Sequence, residues 1–126
     1  MTIIILGRIP SKKNSRINTR SGRSFPSKKY KEWHDDASRQ LMQYKKEYFD
    51  DCSINLFFHM PDNRKADITN KAESVMDMLV DNGILKDDCW QVVNELYMYA
   101  ELDRINPRVE INIVPTVTVD KPKKKP

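Results

Sequence analysis

The spacing of apolar and polar positions changes several times along this chain, and each change marks an element. Thr2 to Leu6 is a β-branched run closed by Gly7, the pattern of a buried strand. Beyond Ser27, the residues Tyr30, Trp33, Ala37, Leu41, Tyr44 and Tyr48 recur at three- and four-residue steps, which predicts a helix capped by Ser27 and running to about Lys46. From Ser53 to Met60 the period drops to two, with Ile54, Leu56, Phe58 and Met60 on one face and Asn55, Phe57 and His59 on the other, until Pro61 ends the strand. Helical spacing returns at Asp67. Alternation returns from Gln91 to Leu102 and from Val109 to Val114, around a turn at Asp103 to Pro107. The order β-α-β-α-β-β predicts a single α+β domain with a mainly antiparallel sheet packed against two helices, its last two strands forming an antiparallel hairpin.

The second helix is the most sharply divided element. At 100° per residue, Ile68, Ala72, Val75, Met76, Leu79 and Val80 share one arc, and Asp67, Asn70, Lys71, Glu73, Ser74, Asp77 and Asp81 share the opposite one, with Met78 out of place. Asn82-Gly83 reads as a left-handed stop, after which Ile84 folds back on the last turn and a short loop carries Asp87 and Asp88. A solvated helix face places bases four residues after its acids, and Asp77 and Asp81 have none. Carboxylates gathered about 4 Å apart repel by roughly 1 to 4 kcal/mol at effective dielectrics of about 80 to 20, so a gathered group calls for a cation. With Cys and His scarce, an all-oxygen donor set points to Mg²⁺, or Mn²⁺ in its place, rather than zinc.

Charge adds to this picture through its layout. The formal net charge of +4 matches Lys121, Lys123, Lys124 and Lys125 near the C-terminus, which leaves 18 bases and 18 acids in residues 1–120. Within those residues, Met1 to His34 carries Arg8, Lys12, Lys13, Arg16, Arg20, Arg23, Lys28, Lys29 and Lys31 against Glu32 alone. A basic N-terminal region beside an acidic helix fits a polyanion held by one part and cut, through metal, by the other. Arg8 to Phe25 reads as a long loop. Its Lys12, Lys13, Asn14, Arg16, Arg20 and Arg23, with Lys28 beyond it, suit contacts to DNA phosphates. Residues 1–115 then form the domain, and residues 116–126 a basic tail expected to be disordered.

Other classes drop out. Gly7 and Lys12 do not make a P-loop, because the second glycine of G-x-x-x-x-G-K-[ST] is absent and Ser11 precedes the lysines, so no nucleotide cofactor is expected. No stretch nears the roughly 20 apolar residues of a membrane span, and Met1 to Leu6 is too short for a signal peptide, so a cytoplasmic protein is expected. Cys52 and Cys89 have no C-x-x-C partner and read as buried, reduced thiols. His34 lies beside the aromatic stripe and receives no role.

Asp67, Lys71 four residues later, Asp77, Leu79, Gly83 and then Asp87-Asp88 resemble the signature of the RusA family of Holliday-junction resolvases, common in phages and prophages. The runs from Gly7 to Arg16 and from Pro26 to Trp33 are similar to the start of many phage members, and the resemblance covers about residues 3–115. It implies a small homodimeric, Mg²⁺-dependent endonuclease of the bacterial host cell that nicks four-way DNA junctions symmetrically. On that basis Asp67, Lys71 and Asp88 are the expected catalytic residues, and Asp67, Asp77, Asp87 and Asp88 the expected metal ligands. One departure stands out. Against a D-x-D-N-x-x-K run aligned on Lys71, Lys65 occupies the place of the first acid, Asp67 that of the second and Ile68 that of the asparagine, with an asparagine instead at Asn70. The missing carboxylate falls to Asp62, Glu73 or Asp77. A non-catalytic DNA-binding module and another small metal-dependent phosphohydrolase remain the competing readings, and Lys65 favours them.

Overall fold

A computed structural model describes residues 1–11, 16–18 and 24–116, with 16–18 and 24–26 as backbone. Its strands and helices are β1 (Thr2–Leu6), β2 (Arg16–Asn18), β3 (Ser24–Pro26), α1 (Lys28–Leu41), β4 (Cys52–Met60), α2 (Ile68–Asp81), β5 (Val93–Leu102) and β6 (Arg108–Pro115). Apart from the short β2–β3 pair, this is the expected α+β order.

The sheet runs β1-β6-β4-β5 and is mixed. β6 pairs antiparallel with both β1 and β4, whereas β5 pairs parallel to β4. The expected β5–β6 hairpin does not form, because β4 lies between the two strands. Alternation defines the faces of a strand but not its neighbour. The connection from Asp103 to Pro107 has only to step across the end of β4, about 10 Å at two strand spacings, within the reach of five residues. Asp103 anchors that step: its backbone N–H donates to the Met60 carbonyl, its carboxylate accepts from the N–H groups of Ile105 and Asn106, and Arg108 pairs with it at 2.9 Å. Those bonds hold the Asp103 carboxyl below its ordinary pKa, the Asn106 N–H first and then Arg108.

Register places Ile3 and Ile5 of β1, Val109, Ile111 and Ile113 of β6, and Ile54, Leu56 and Phe58 of β4 on one face, continued by Leu96, Met98 and Ala100 of β5. Both helices cover this face. Tyr30, Trp33, Ala37 and Leu41 of α1 and Ala72, Val75, Met76, Met78 and Leu79 of α2 join the same buried cluster. Met78, out of place on a two-sided wheel, is fully buried because α2 is packed on more than its sheet side.

The segment from Arg8 to Phe25 is not all loop, since β2 and β3 form a small antiparallel hairpin within it. Helix α1 begins where expected, with the Ser27 hydroxyl accepting the Tyr30 N–H, but ends at Leu41 and not near Lys46. Tighter i→i+3 bonds take over from Met42 to Tyr44. The reason is a tertiary bond: the Tyr44 hydroxyl accepts the Ile4 N–H and donates to the Ile4 carbonyl, while Gln40 does the same for Leu6 with its amide. Tyr48 is correspondingly exposed and lies off the stripe. Cys52 and Cys89 are free thiols, the first buried and the second half-buried.

Candidate active site

Helix α2 positions the acidic stretch as its sequence implies. Asp67 is the N-cap, its Oδ1 accepting the Thr69 N–H (2.9 Å) and hydroxyl (2.6 Å). Gly83, at φ 71°, ends the helix, and Ile84 and Leu85 both donate to the Leu79 carbonyl, turning the chain back along α2. That return delivers the acidic pair. The Asp87 carboxylate accepts the Asp88 N–H (2.8 Å), and Asp88 lines an open cleft of about 260 Å³ with Thr69, Ala72, Glu73, Met76, Leu96 and Met98. Asp88 and Glu73 therefore share one cleft on the β5 side of α2, and Asp67 touches its wall only through Thr69; these three carboxylates do not form a compact ligand group among the described residues. Asp67, Glu73, Asp87 and Asp88 are all exposed.

The rest of the polar arc of α2 turns away from this cleft, and most of it is packed, with Asp81 still exposed. Ser74 is fully buried and donates to the Pro10 carbonyl (2.7 Å). Asp77, an expected metal ligand, accepts the Tyr30 hydroxyl of α1, and Asp81 meets His34 Nε2 at 2.9 Å. The ligand-type atoms of His34, Asp77 and Asp81 lie within 4.8 Å of one another, the compact group of this kind found among the described residues. Two elements thus share the acids of α2: the β5 side takes Glu73, and α1 takes Asp77 and Asp81.

Lys71 lies on a third aspect of the helix. Half-buried, it donates to the Ile9 carbonyl (2.6 Å) and faces a cavity with Arg8, Ser11, Ser27 and Lys29. Burial lowers its pKa first, then repulsion from Arg8, Lys29 and Arg64, against a partial offset from Asp62. Asp62 bonds Arg64 by side chain and backbone and pairs with Arg8 at 2.6 Å, which holds its carboxyl far below the usual range. A carboxylate engaged by two guanidinium groups is a poor remaining candidate for the acid missing at Lys65. Lys65 itself is exposed.

Of the expected DNA contacts, Lys28 is exposed and 3.8 Å from Glu32. Arg16 has its backbone in β2. Lys12, Lys13, Asn14, Arg20 and Arg23 lie outside the described residues, as do residues 117–126 of the tail. Its first residue, Thr116, is held by Asp51 and Asn94. Arg8, Ser11 and Lys29 were not singled out by sequence reasoning, although they sit in the Gly7–Arg16 and Pro26–Trp33 runs that carried the resemblance. Among the described residues, no helix is long and apolar enough to cross a membrane.

A two-layer α+β domain with a cleft bearing Glu73 and Asp88 on one side of α2 and a cation-lined cavity on another has the parts expected of a phosphodiester-cleaving protein. The family model for endodeoxyribonuclease RusA matches residues 7–114, and the chain belongs to that family. It is also 26% identical over 115 residues to the crossover junction endodeoxyribonuclease RusA of Aquifex aeolicus (strain VF5), a match covering 89% of this chain and 90% of the relative.

Proposed function

We propose that this chain is a Mg²⁺-dependent endonuclease that resolves four-way DNA junctions by paired symmetric nicks, acting as a homodimer. The observation that carries the reading is the match of residues 7–114 to a family of endodeoxyribonucleases, supported by Asp88 and Glu73 sharing one cleft beside the Asp67–Thr69 cap. The relative from Aquifex aeolicus is a crossover junction enzyme by name, which supports the branched substrate.

The donor chemistry suits a hard cation, although Asp67, Glu73 and Asp88 form no compact group among the described residues and would have to close around the ion. The donor set is all carboxylate and hydroxyl oxygen, exposed and open to solvent, as Mg²⁺ requires, and Mn²⁺ shares the same ligand preference. Asp67, Glu73 and Asp88 would hold the ion, with Asp87 fixing the Asp88 backbone through its N–H. When bound, the ion would supply Lewis acidity at the phosphoryl oxygens and lower the pKa of an attacking water. Lys71, four residues and about 6 Å along the axis from Asp67, brings positive charge to the phosphate from the aspect of the helix that faces Arg8 and Lys29. Lys12, Lys13, Asn14, Arg16, Arg20, Arg23 and Lys28 would grip the backbone of the arms without reading sequence.

The test is incubation of labelled four-way junction and linear duplex with and without Mg²⁺. Symmetric nicks in the junction, dependent on the ion and absent from duplex, are the expected result. Junction binding with no cleavage under any divalent ion would leave a binding module.

The dimer rests on the contrast between the two edges of the sheet. The β1 edge is occupied by Gln40 and Tyr44, which bond the backbone groups of Leu6 and Ile4 that an added strand would use. At the opposite edge, β5 has no further strand beside it among the described residues and exposes Leu96, Tyr97, Tyr99 and Leu102 at 39–53%. The apolar arc of α2 is largely buried within the monomer and offers no comparable face. Two nicks related by a two-fold axis need two sites, and an isologous β5 contact would provide them. Tyr97→Lys, which sets like charges across that axis, should shift sedimentation equilibrium at micromolar concentration from dimer to monomer. A wild-type monomer both free and on DNA would refute the dimer.

A further inference from the structure

We propose that the cavity enclosed by the Arg8–Ser11 segment, the start of α1 and Lys71 is an oxyanion site that seats a backbone phosphate of the bound DNA. It rests on the endonuclease reading for the identity of the ligand, though not for the chemistry of the pocket.

The cavity measures about 410 Å³ and is lined, among the described residues, by Arg8, Ile9, Pro10, Ser11, Ser27, Lys29 and Lys71, three cations and no acid. Like charges packed around one space repel, and an anion between them removes that cost. Asp62, which pairs with Arg8, does not line the cavity and is shared with Arg64. Donors are also present. Lys71 spends one of its N–H bonds on the Ile9 carbonyl. The Ser11 hydroxyl is buried and has no hydrogen-bond partner among the described residues, an arrangement that native structures rarely tolerate without a bound group. Helix α1 opens at this wall, with Ser27 as its cap and no acidic residue in its first turn. The site joins elements far apart in sequence, and Lys71 lies one turn of α2 beyond Asp67. A strand whose phosphate is held here is therefore fixed relative to the acid cleft.

Two measurements test the proposal. Inorganic phosphate, added at constant ionic strength against chloride, should raise the melting temperature of the full chain, since an ion that binds the native state stabilises it by mass action. Lys29→Gln and Ser11→Ala should abolish that rise, and Lys31→Gln, on the exposed side of α1, should keep it. In metal-free junction binding, Lys29→Gln should lower the log-log salt slope by about 0.9, the loss of one phosphate contact, with Lys31→Gln unchanged. No phosphate effect on the wild type, or one undiminished in both Lys29→Gln and Ser11→Ala, would overturn the site. Loss of the phosphate effect in Lys29→Gln with an unaltered salt slope would overturn its assignment to DNA. A chain that binds phosphate through these residues but leaves junctions uncut would sink the endonuclease reading while supporting the pocket.

Discussion

Asp67→Asn and Asp88→Asn should each slow junction cleavage by about a hundredfold or more, equivalent to at least roughly 2.7 kcal/mol of transition-state stabilisation. Both changes remove a charge and keep the shape. Asn is as good an N-cap as Asp, so the Thr69 bonds that start α2 survive the first substitution, and Asp88 is exposed at the cleft. A loss of rate would therefore reflect lost ligands and not lost fold. Metal-free junction binding should persist or tighten, because one negative charge near the phosphate is gone. Single-turnover cleavage together with metal-free anisotropy separates the two effects. If both variants cut at the unmodified rate, the proposed metal site is wrong.

Glu73→Gln and Asp77→Asn should part company, although both acids belong to the same polar arc. Glu73 shares the cleft with Asp88, so its amide should cost cleavage on the order of a hundredfold with little change in melting temperature. Asp77 receives the Tyr30 hydroxyl and sits with His34 and Asp81 between the helices. Its amide should lower stability by about 1–3 kcal/mol through a weakened hydrogen bond, while the folded fraction cuts at close to the normal rate. Measuring cleavage and thermal unfolding on both variants decides which of them stands in for the acid absent at Lys65. A silent Glu73→Gln beside a cleavage-dead but stable Asp77→Asn would reverse the assignment.

Much of the frame was legible in the sequence because local rules govern it. Asp67 as a cap, the two-sided period of α2, Gly83 as a positive-φ stop and the fold-back at Ile84 all depend on residues within a few positions of one another. The strands β4, β5 and β6 followed from period-two runs, and β1 from a β-branched run closed by Gly7, for the same reason. The family was legible through spacing: Asp67, Lys71, Asp77, Gly83 and Asp87-Asp88 sit in one contiguous stretch, so no tertiary contact was needed to see them together.

What the tertiary structure alone decided concerns partners. The sequence determined that strands follow Asp88, but not that β6 would cross to the far side of β4, because a strand's faces are written in its own residues and its neighbour is not. It determined that α2 has a polar arc, but treated that arc as one surface. In the fold the arc is divided, with Glu73 facing Asp88, Asp77 and Asp81 facing α1, and Lys71 facing Arg8 and Lys29. A helical wheel records the angle at which a side chain leaves the axis. Which element waits at that angle depends on chain segments tens of residues away, and those contacts form only when the sheet and both helices are packed together.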